Sequence, residues 1–179
     1  MQKVYIAVSL DGYIAGPDND LDWLEQLPNP DDDDFGFEDH MASIDAVVMG
    51  RGTFDAVSTF RPWPYDKPVL VVSSTLSEIA EDLSGSVEVI SGSPNEVVDR
   101  CRQKGFDDLY IDGGRLVTSF LEAGLIDEMT ISWIPVLLGA GIPLFGALPQ
   151  PLWWTHLNTK SFAGGMVQST YRRAPTSAA

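Results

Sequence analysis

Two adjacent glycines stand where a strand must become a helix, in the stretch LYIDGGRLVTSFLEAGLIDEM at residues 109–129. Residues 109–111 alternate as a β-strand does, and residues 114–123 place apolar side chains on one helical face. Glycine has no Cβ atom and adopts positive φ, so Gly113 and Gly114 leave the first N–H groups of the helix free to face an anion. The alternative is that the two glycines only turn the chain.

Strands and helices alternate along most of the chain, which predicts an α/β fold with a mostly parallel sheet. Strands are predicted at 3–10, 45–49, 69–72, 87–90 and 109–111, and helices at 33–43, from about 53, from 94 to Gly105 and at 114–123. After Gly124 three successive strands are predicted, at 129–138, 151–157 and 165–173. We therefore expect three layers, with antiparallel C-terminal strands closing the sheet.

Composition narrows the class of protein. The chain has 179 residues and is 44% hydrophobic, and we expect one domain over residues 1–173 with a disordered tail at 174–179. No apolar run approaches the ~20 residues that span a bilayer, and the N-terminus lacks the features of a secretory signal. Cys101 is the single cysteine. These features predict a cytoplasmic protein with no membrane partner.

The net charge of −15 argues against a nucleic-acid partner, because such proteins neutralise phosphates with lysine and arginine. An anionic ligand would need a site built locally from backbone N–H groups and a few arginines. Cys101 falls on an apolar helix face, which favours packing over a nucleophilic role. With His40 and His156 as the two histidines, we predict no metal site.

Three chain breaks follow predicted parallel strands, at whose carboxyl ends ligands collect. They are MGRGT at 49–53, VSST at 72–75 and DGGR at 112–115. The first repeats the pattern of the double glycine, since Gly50 and Gly52 flank a guanidinium and Thr53 adds a hydroxyl suited to phosphate. For Arg51 taken alone, a surface salt bridge is an equal alternative.

Four stretches together resemble the dihydrofolate reductase-like superfamily. They are IAVSLDGYIAG at 6–16, VVMGRGTF at 47–54, VLVVSS at 69–74 and LYIDGGRLVTSFLEAGLIDEMTISWIPVLLGAGIPLF at 109–145. The last is similar to the C-terminal reductase domain of bifunctional riboflavin-biosynthesis deaminase-reductases. Its end, 135–145, favours the riboflavin type, although a bulge and turn between strands would have the same pattern.

The resemblance implies a reductase that uses NADPH. The backbone of Ala7 would meet the nicotinamide amide, and Asp11 would belong to a mobile loop over nicotinamide and substrate. Gly50, Arg51 and Thr53 correspond to the turn that binds the adenosine 2′-phosphate and the pyrophosphate. Ser73 and Ser74 correspond to the strand end on the adenosine side. The second phosphate-binding turn corresponds to Gly113, Gly114, Arg115 and Leu116.

Departures from the family pattern bear on the reaction. Dihydrofolate reductases have three consecutive glycines where this chain has Asp112-Gly113-Gly114. By analogy with the acid of folate enzymes, Asp34 is the candidate proton donor, and the alternative is that residues 31–34 are a solvated charge run before a helix. A chain with one cysteine cannot supply the zinc site of the deaminase half.

We therefore predict an NADPH-dependent reductase of the riboflavin-biosynthesis type, acting on a small heterocyclic substrate. A dihydrofolate reductase and a non-catalytic nucleotide-binding homologue are the alternatives. The riboflavin substrate carries a phosphate, and few basic residues remain for it once Arg51 and Arg115 serve the cofactor. The apolar region 133–145 predicts either a homodimer interface or an inward-facing strand pair.

Overall fold

The computed structural model describes residues 1–174 of the chain. Its strands are β1 (Gln2–Ser9), β2 (Tyr13–Ala15), β3 (Ala46–Gly50), β4 (Val69–Val72), β5 (Val87–Ile90), β6 (Leu109–Asp112), β7 (Glu128–Ile134), β8 (Ile142–Pro143), β9 (Trp154–Ser161) and β10 (Val167–Arg173). Its helices are α1 (Asp22–Glu25), α2 (Phe37–Ala42), α3 (Arg51–Val57), α4 (Pro94–Gln103) and α5 (Gly114–Glu122), with short 3-10 turns at Pro17–Asn19 and Glu81–Leu83.

Eight of the strands form one sheet in the order β5-β4-β3-β6-β1-β7-β10-β9, and β2 pairs separately with β8. Neighbours from β5 to β7 are parallel, whereas β10 runs antiparallel to both β7 and β9. The prediction of a mostly parallel sheet closed by antiparallel C-terminal strands is confirmed.

Helices cover both faces of the sheet. On one face α4 and α5 bury Val98, Cys101 and Phe120, and on the other α2 and α3 bury Met41 and Phe54. Because β3 and β4 lie between these layers, their side chains are apolar on both faces. This arrangement is the three-layer architecture that the alternation of strands and helices predicts.

Helix α4 begins and ends as its sequence predicts. Ser93 Oγ accepts a hydrogen bond from the Glu96 amide, and the Glu96 carboxylate accepts one from the Ser93 amide at 2.7 Å, which completes a capping box. Gly105 follows the helix at φ 84°. Cys101 is buried on this helix, and burial raises the pKa of its thiol to about 11, which agrees with a packing role.

The predicted helix at 33–43 is wrong in its first turn. Helix α2 begins at Phe37, because Phe35 and Gly36 have φ values of 60° and 87°, which a right-handed helix cannot contain. The Asp34 carboxylate accepts hydrogen bonds from the amides of Gly36 and Glu38, at 2.9 and 2.8 Å. The acidic run therefore precedes the helix.

The strand predicted at 129–138 ends early, at Ile134, because the chain turns and residues 142–143 pair with β2 instead. The strand predicted at 165–173 corresponds to β10, whereas the strand predicted at 151–157 is displaced, since β9 begins at Trp154 and ends at Ser161. Across residues 1–174, none of the helices has the length and apolar character needed to cross a bilayer. Of the predicted disordered tail, all but Ala174 lies outside the described residues.

Candidate active site

A gap opens between the central strands β1 and β6. Strand β1 pairs with β7 from Lys3 to Ser9, but its ladder with β6 covers only Gln2 and Lys3. Beyond that point the Tyr5 carbonyl accepts a hydrogen bond from the Tyr110 hydroxyl at 2.8 Å. Since residues two apart in a strand direct their backbone groups to the same edge, those of Ala7 also face the gap.

The gap leads into a cavity of about 890 Å³. This volume lies near the upper end of the range for small-molecule sites, about 300–1,000 Å³. Strands β3, β6 and β1 are neighbours, so their carboxyl ends meet at this cavity. Eight of the residues that the resemblance implies for cofactor binding line it: Ala7, Gly50, Arg51, Thr53, Gly113, Gly114, Arg115 and Leu116.

The two glycine turns touch each other. Gly113 has φ 99° and ψ 131°, and the Thr53 hydroxyl occupies the space that a Cβ atom on Gly113 would need. The Pro143 carbonyl likewise occupies the space beside Gly114. No side chain caps the start of α5, so its first amides keep the hydrogen-bonding capacity that an anion could use.

Arg51 is held beside the carboxyl end of β4. Its Nε atom donates to both carboxylate oxygens of Asp55, at 3.0 and 2.9 Å, and its Nη1 atom lies 3.5 Å from Thr75 Oγ1. The salt bridge that was the alternative for Arg51 is therefore present. Because Asp55 engages Nε, the terminal nitrogens can still meet an anion in the cavity.

Asp112 is a buried carboxyl group on the cavity lining. Burial raises its pKa to about 6, although the Gly113 amide opposes that change by favouring the carboxylate. A carboxyl group with this pKa exchanges its proton near neutral pH. Asp112 is thus the group in the cavity best suited to supply or accept a proton.

An aromatic cluster lies behind the cavity wall. The ring of His40 is 4.7 Å from the rings of both Tyr5 and Tyr110, which line the cavity. Burial and the nearby Lys3 lower the pKa of His40 to about 4, so its ring is neutral at pH 7. The Tyr5 hydroxyl donates to the Phe35 carbonyl at 2.6 Å, which fixes the Tyr5 ring at the cavity.

Asp11 and Asp34 do not line the cavity. Asp11 accepts hydrogen bonds from Ser9 Oγ at 2.6 Å and from the Gly139 amide at 2.7 Å, and so joins the loops that follow β1 and β7. The pKa of Asp34 is lowered, first by the Glu38 amide, so this carboxyl group is ionised at pH 7. An ionised carboxylate engaged at a helix start is poorly placed to donate a proton.

Ser73 and Ser74 also lie outside the cavity lining. The Ser73 hydroxyl accepts hydrogen bonds from the amides of Thr75 and Leu76, at 3.2 and 3.0 Å, and Ser74 is exposed. Within this strand end it is Thr75 that approaches the Arg51 guanidinium. The turn therefore lies near the predicted phosphate site, with a neighbouring residue making the contact.

Two cavity residues, Tyr110 and Asp112, were not assigned a role from the sequence. Their spacing was the available signal, because residues two apart in a strand share a face and a carboxylate at the end of an apolar strand is uncommon. Leu21, Leu24 and Phe37 also line the cavity, from a segment without a recognisable motif.

Comparison with known proteins identifies the relatives of the chain. The family model described as the RibD C-terminal domain matches residues 3–168. The chain belongs to the RibD C-terminal domain family. The uncharacterized protein YwjB of Bacillus subtilis is 36% identical to it over 174 residues, which cover 96% of this chain and 97% of YwjB.

Solved structures of RibD-type proteins share the fold. A putative riboflavin biosynthesis protein from Shewanella sp. PV-4 has a TM-score of 0.92 and 42% identity, over 97% of this chain and 99% of its own. A deaminase/5-amino-6-(5-phosphoribosylamino)uracil reductase from Thermotoga maritima has a TM-score of 0.75 at 14% identity. That comparison covers 97% of this chain and 56% of the Thermotoga chain.

The same fold extends to a folate enzyme. Dihydrofolate reductase from Enterococcus faecalis, complexed with NADP(H) and RAB-propyl, matches this chain with a TM-score of 0.69. Sequence identity is 20%, over 98% of this chain and 97% of the other. The prediction of a dihydrofolate reductase-like fold is therefore confirmed.

Proposed function

We propose that the protein is an NADPH-dependent reductase that transfers hydride to a small planar nitrogen heterocycle. One observation carries the proposal: the two glycine turns meet at a single cavity that also contains the Ala7 backbone and the buried carboxyl group of Asp112. Membership of the RibD C-terminal domain family agrees with an oxidoreductase of the riboflavin type.

The residues of the cavity fit a dinucleotide phosphate. No side chain caps the start of α5, which leaves its first amides available to a bound pyrophosphate. Asp55 holds the Arg51 guanidinium beside Thr75. Because guanidinium groups bind phosphate strongly, Arg51 would bind the 2′-phosphate that distinguishes NADPH from NADH. Arg115 is exposed at the same helix start and forms no ion pair within residues 1–174.

The residues of this chain would orient the bound cofactor and supply a proton. When bound, a reduced nicotinamide supplies the hydride. The backbone of Ala7, free on the edge of β1 that faces the gap, would orient the carboxamide of that ring. Asp112 would hold the proton that completes the reduction, in place of Asp34, because its pKa of about 6 allows exchange near neutral pH.

Two compounds are candidate substrates, and a non-catalytic function is the alternative. The Thermotoga protein is named for reduction of 5-amino-6-(5-phosphoribosylamino)uracil, and we propose an aminouracil of that type as the first substrate to examine. Dihydrofolate is the second, because a folate enzyme shares the fold. A non-catalytic nucleotide-binding protein would bind NADPH and reduce neither compound.

The experiment begins with the cofactor. We expect NADPH to stabilise the protein against thermal unfolding, by about 2.7 kcal/mol at a concentration ~100 times Kd. With each candidate substrate, NADPH oxidation is then followed by the loss of absorbance of the reduced nicotinamide ring. Absence of NADPH binding would remove the proposal, and binding without oxidation would exclude both compounds as substrates.

A further inference from the structure

The segment from Pro17 to Asp39 forms one wall of the cavity and carries an unusual charge. It contributes Asn19, Leu21, Leu24 and Phe37 to the lining. It has ten acidic residues and neither lysine nor arginine, in a chain of net charge −15. The ten are Asp18, Asp20, Asp22, Glu25, Asp31, Asp32, Asp33, Asp34, Glu38 and Asp39.

Most of this negative charge has no internal partner. Among residues 1–174, the one ion pair of the segment joins Asp33 to Lys160, with 3.5 Å between Oδ2 and Nζ. Asp34 is engaged by backbone amides, which do not neutralise its charge. A ligand that approaches this wall therefore meets a strongly negative potential, which repels anions and does not repel neutral rings.

Apart from Asn19, the side chains that this wall presents to the cavity are apolar. Leu21, Leu24 and Phe37 line it together with the ring of Tyr5, whose hydroxyl is already bonded to the Phe35 carbonyl. The cationic side chains of the lining are Arg51 and Arg115, and both belong to the glycine turns. A substrate phosphate would find no cation at the acidic wall among the described residues.

We infer that the substrate is a flat ring compound that carries neither a phosphate group nor any other negative charge. This inference rests on the proposed function, since it assigns the two arginines to the cofactor. It departs from the phosphoribosyl compound in the name of the Thermotoga protein. The apolar wall would bind the ring, and the surrounding carboxylates would exclude its phosphorylated counterpart.

The alternative assigns a substrate phosphate to Arg115. That side chain is exposed and forms no ion pair within residues 1–174, so it could reach an anion outside the cofactor site. In that case a phosphorylated compound would bind better than its neutral counterpart, and Arg115→Gln would remove the difference.

Riboflavin and flavin mononucleotide make a matched pair of probes, because they share one fluorescent planar ring and differ by a phosphate. Their binding is measured by fluorescence quenching on protein saturated with NADP⁺, which occupies the cofactor site without allowing turnover. We expect riboflavin to bind roughly tenfold or more tightly than the mononucleotide at low salt. The difference should shrink at high ionic strength, where the Debye length falls to about 3 Å.

A charge-neutralising variant tests whether the acidic wall is the cause. Glu25→Gln, Asp31→Asn, Asp32→Asn and Asp39→Asn remove four charges, and no side-chain hydrogen bond involves these carboxylates within residues 1–174. The control removes four charges elsewhere on the surface, with Glu78→Gln, Glu81→Gln, Asp107→Asn and Glu122→Gln. We expect the wall variant to reduce the preference for riboflavin several-fold and the control to leave it unchanged.

The outcomes separate this inference from the proposed function. Failure of NADP⁺ and NADPH to bind would overturn the proposed function. With cofactor binding intact, three results would overturn the inference alone: equal or tighter binding of the mononucleotide, binding of neither probe, or a preference that the control variant changes as much as the wall variant does.

Discussion

The hydroxyl of Thr53 occupies the space that a Cβ atom on Gly113 would need. The two residues come from turns that follow neighbouring parallel strands, β3 and β6. Two features therefore require glycine at position 113: its φ of 99° and the close approach of Thr53. The contact brings the two turns together at one cavity.

We expect Gly113→Ala to destabilise the protein by about 2 kcal/mol, because the new Cβ atom meets Thr53 and the backbone has positive φ. NADPH binding should weaken roughly tenfold, since the amides of α5 would shift. Urea unfolding and NADPH titration measure the two effects. Gly85→Ala is the control, because a Cβ atom there meets nothing and φ is not positive. Equal behaviour of the two variants would contradict the prediction.

Asp112→Asn should increase stability at pH 7.5 and lower reductase activity. The folded protein holds the Asp112 proton more tightly than the unfolded chain, with a pKa of about 6 against the ordinary 3.8. Wild-type stability therefore falls as pH rises from about 4 to about 6, and asparagine does not undergo this loss. The gain should be about 3 kcal/mol above pH 6 and close to zero below pH 4.

Unfolding of wild type and Asp112→Asn by urea at several pH values checks this difference. A gain that is the same at pH 4 and pH 7.5 would show that Asp112 does not titrate as inferred. If Asp112 holds the transferred proton, kcat should fall by ~100-fold or more in the same variant. Full activity would remove Asp112 from the chemistry.

Arg51→Gln should distinguish the two nicotinamide cofactors. The variant loses a guanidinium held beside Thr75, so NADPH binding should weaken roughly tenfold while NADH binding changes by less than about twofold. Fluorescence titration with both cofactors measures the ratio. Arg100→Gln, an exposed substitution on α4, controls for the loss of one positive charge. Equal losses for NADPH and NADH would place the 2′-phosphate elsewhere.

Ser93→Ala should cost about 1 kcal/mol of stability by removing the N-cap of α4. NADPH binding should be unchanged, because α4 does not line the cavity. Glu96→Ala breaks the same capping box, so the double variant should lose less than the sum of the two single losses. Additive losses in urea unfolding would show that the two residues act independently.

The apolar region 133–145 predicts either a homodimer interface or an inward-facing strand pair. Ile134 and Leu144 are buried within the chain, whereas Leu137 is 71% exposed and Phe145 40% exposed. We expect light scattering to detect a dimer that Leu137→Glu converts to monomer. Phe60→Glu, at another exposed apolar residue, should leave the dimer intact. A monomeric wild-type protein would favour the inward-facing alternative.

The sequence alone was sufficient for most of the elements and for the two glycine turns. Strands β4 and β5 have the predicted boundaries, and α4 begins at its predicted first residue, Pro94, behind a capping box. These features depend on residues close together in the chain, such as Ser93 and Glu96, so local periodicity and capping chemistry describe them well. The predicted helix at 33–43 failed where positive φ at Phe35 and Gly36 interrupted an otherwise helical pattern.

Only the tertiary structure decided what the cavity contains. The meeting of Thr53 with Gly113 depends on strand order, and the raised pKa of Asp112 depends on burial by surrounding elements. Asp34 had the residue type of a proton donor, yet its position at the start of α2 engages it with amides outside the cavity lining. Packing between residues distant in the chain determines burial and electrostatic environment, and no local pattern encodes either one.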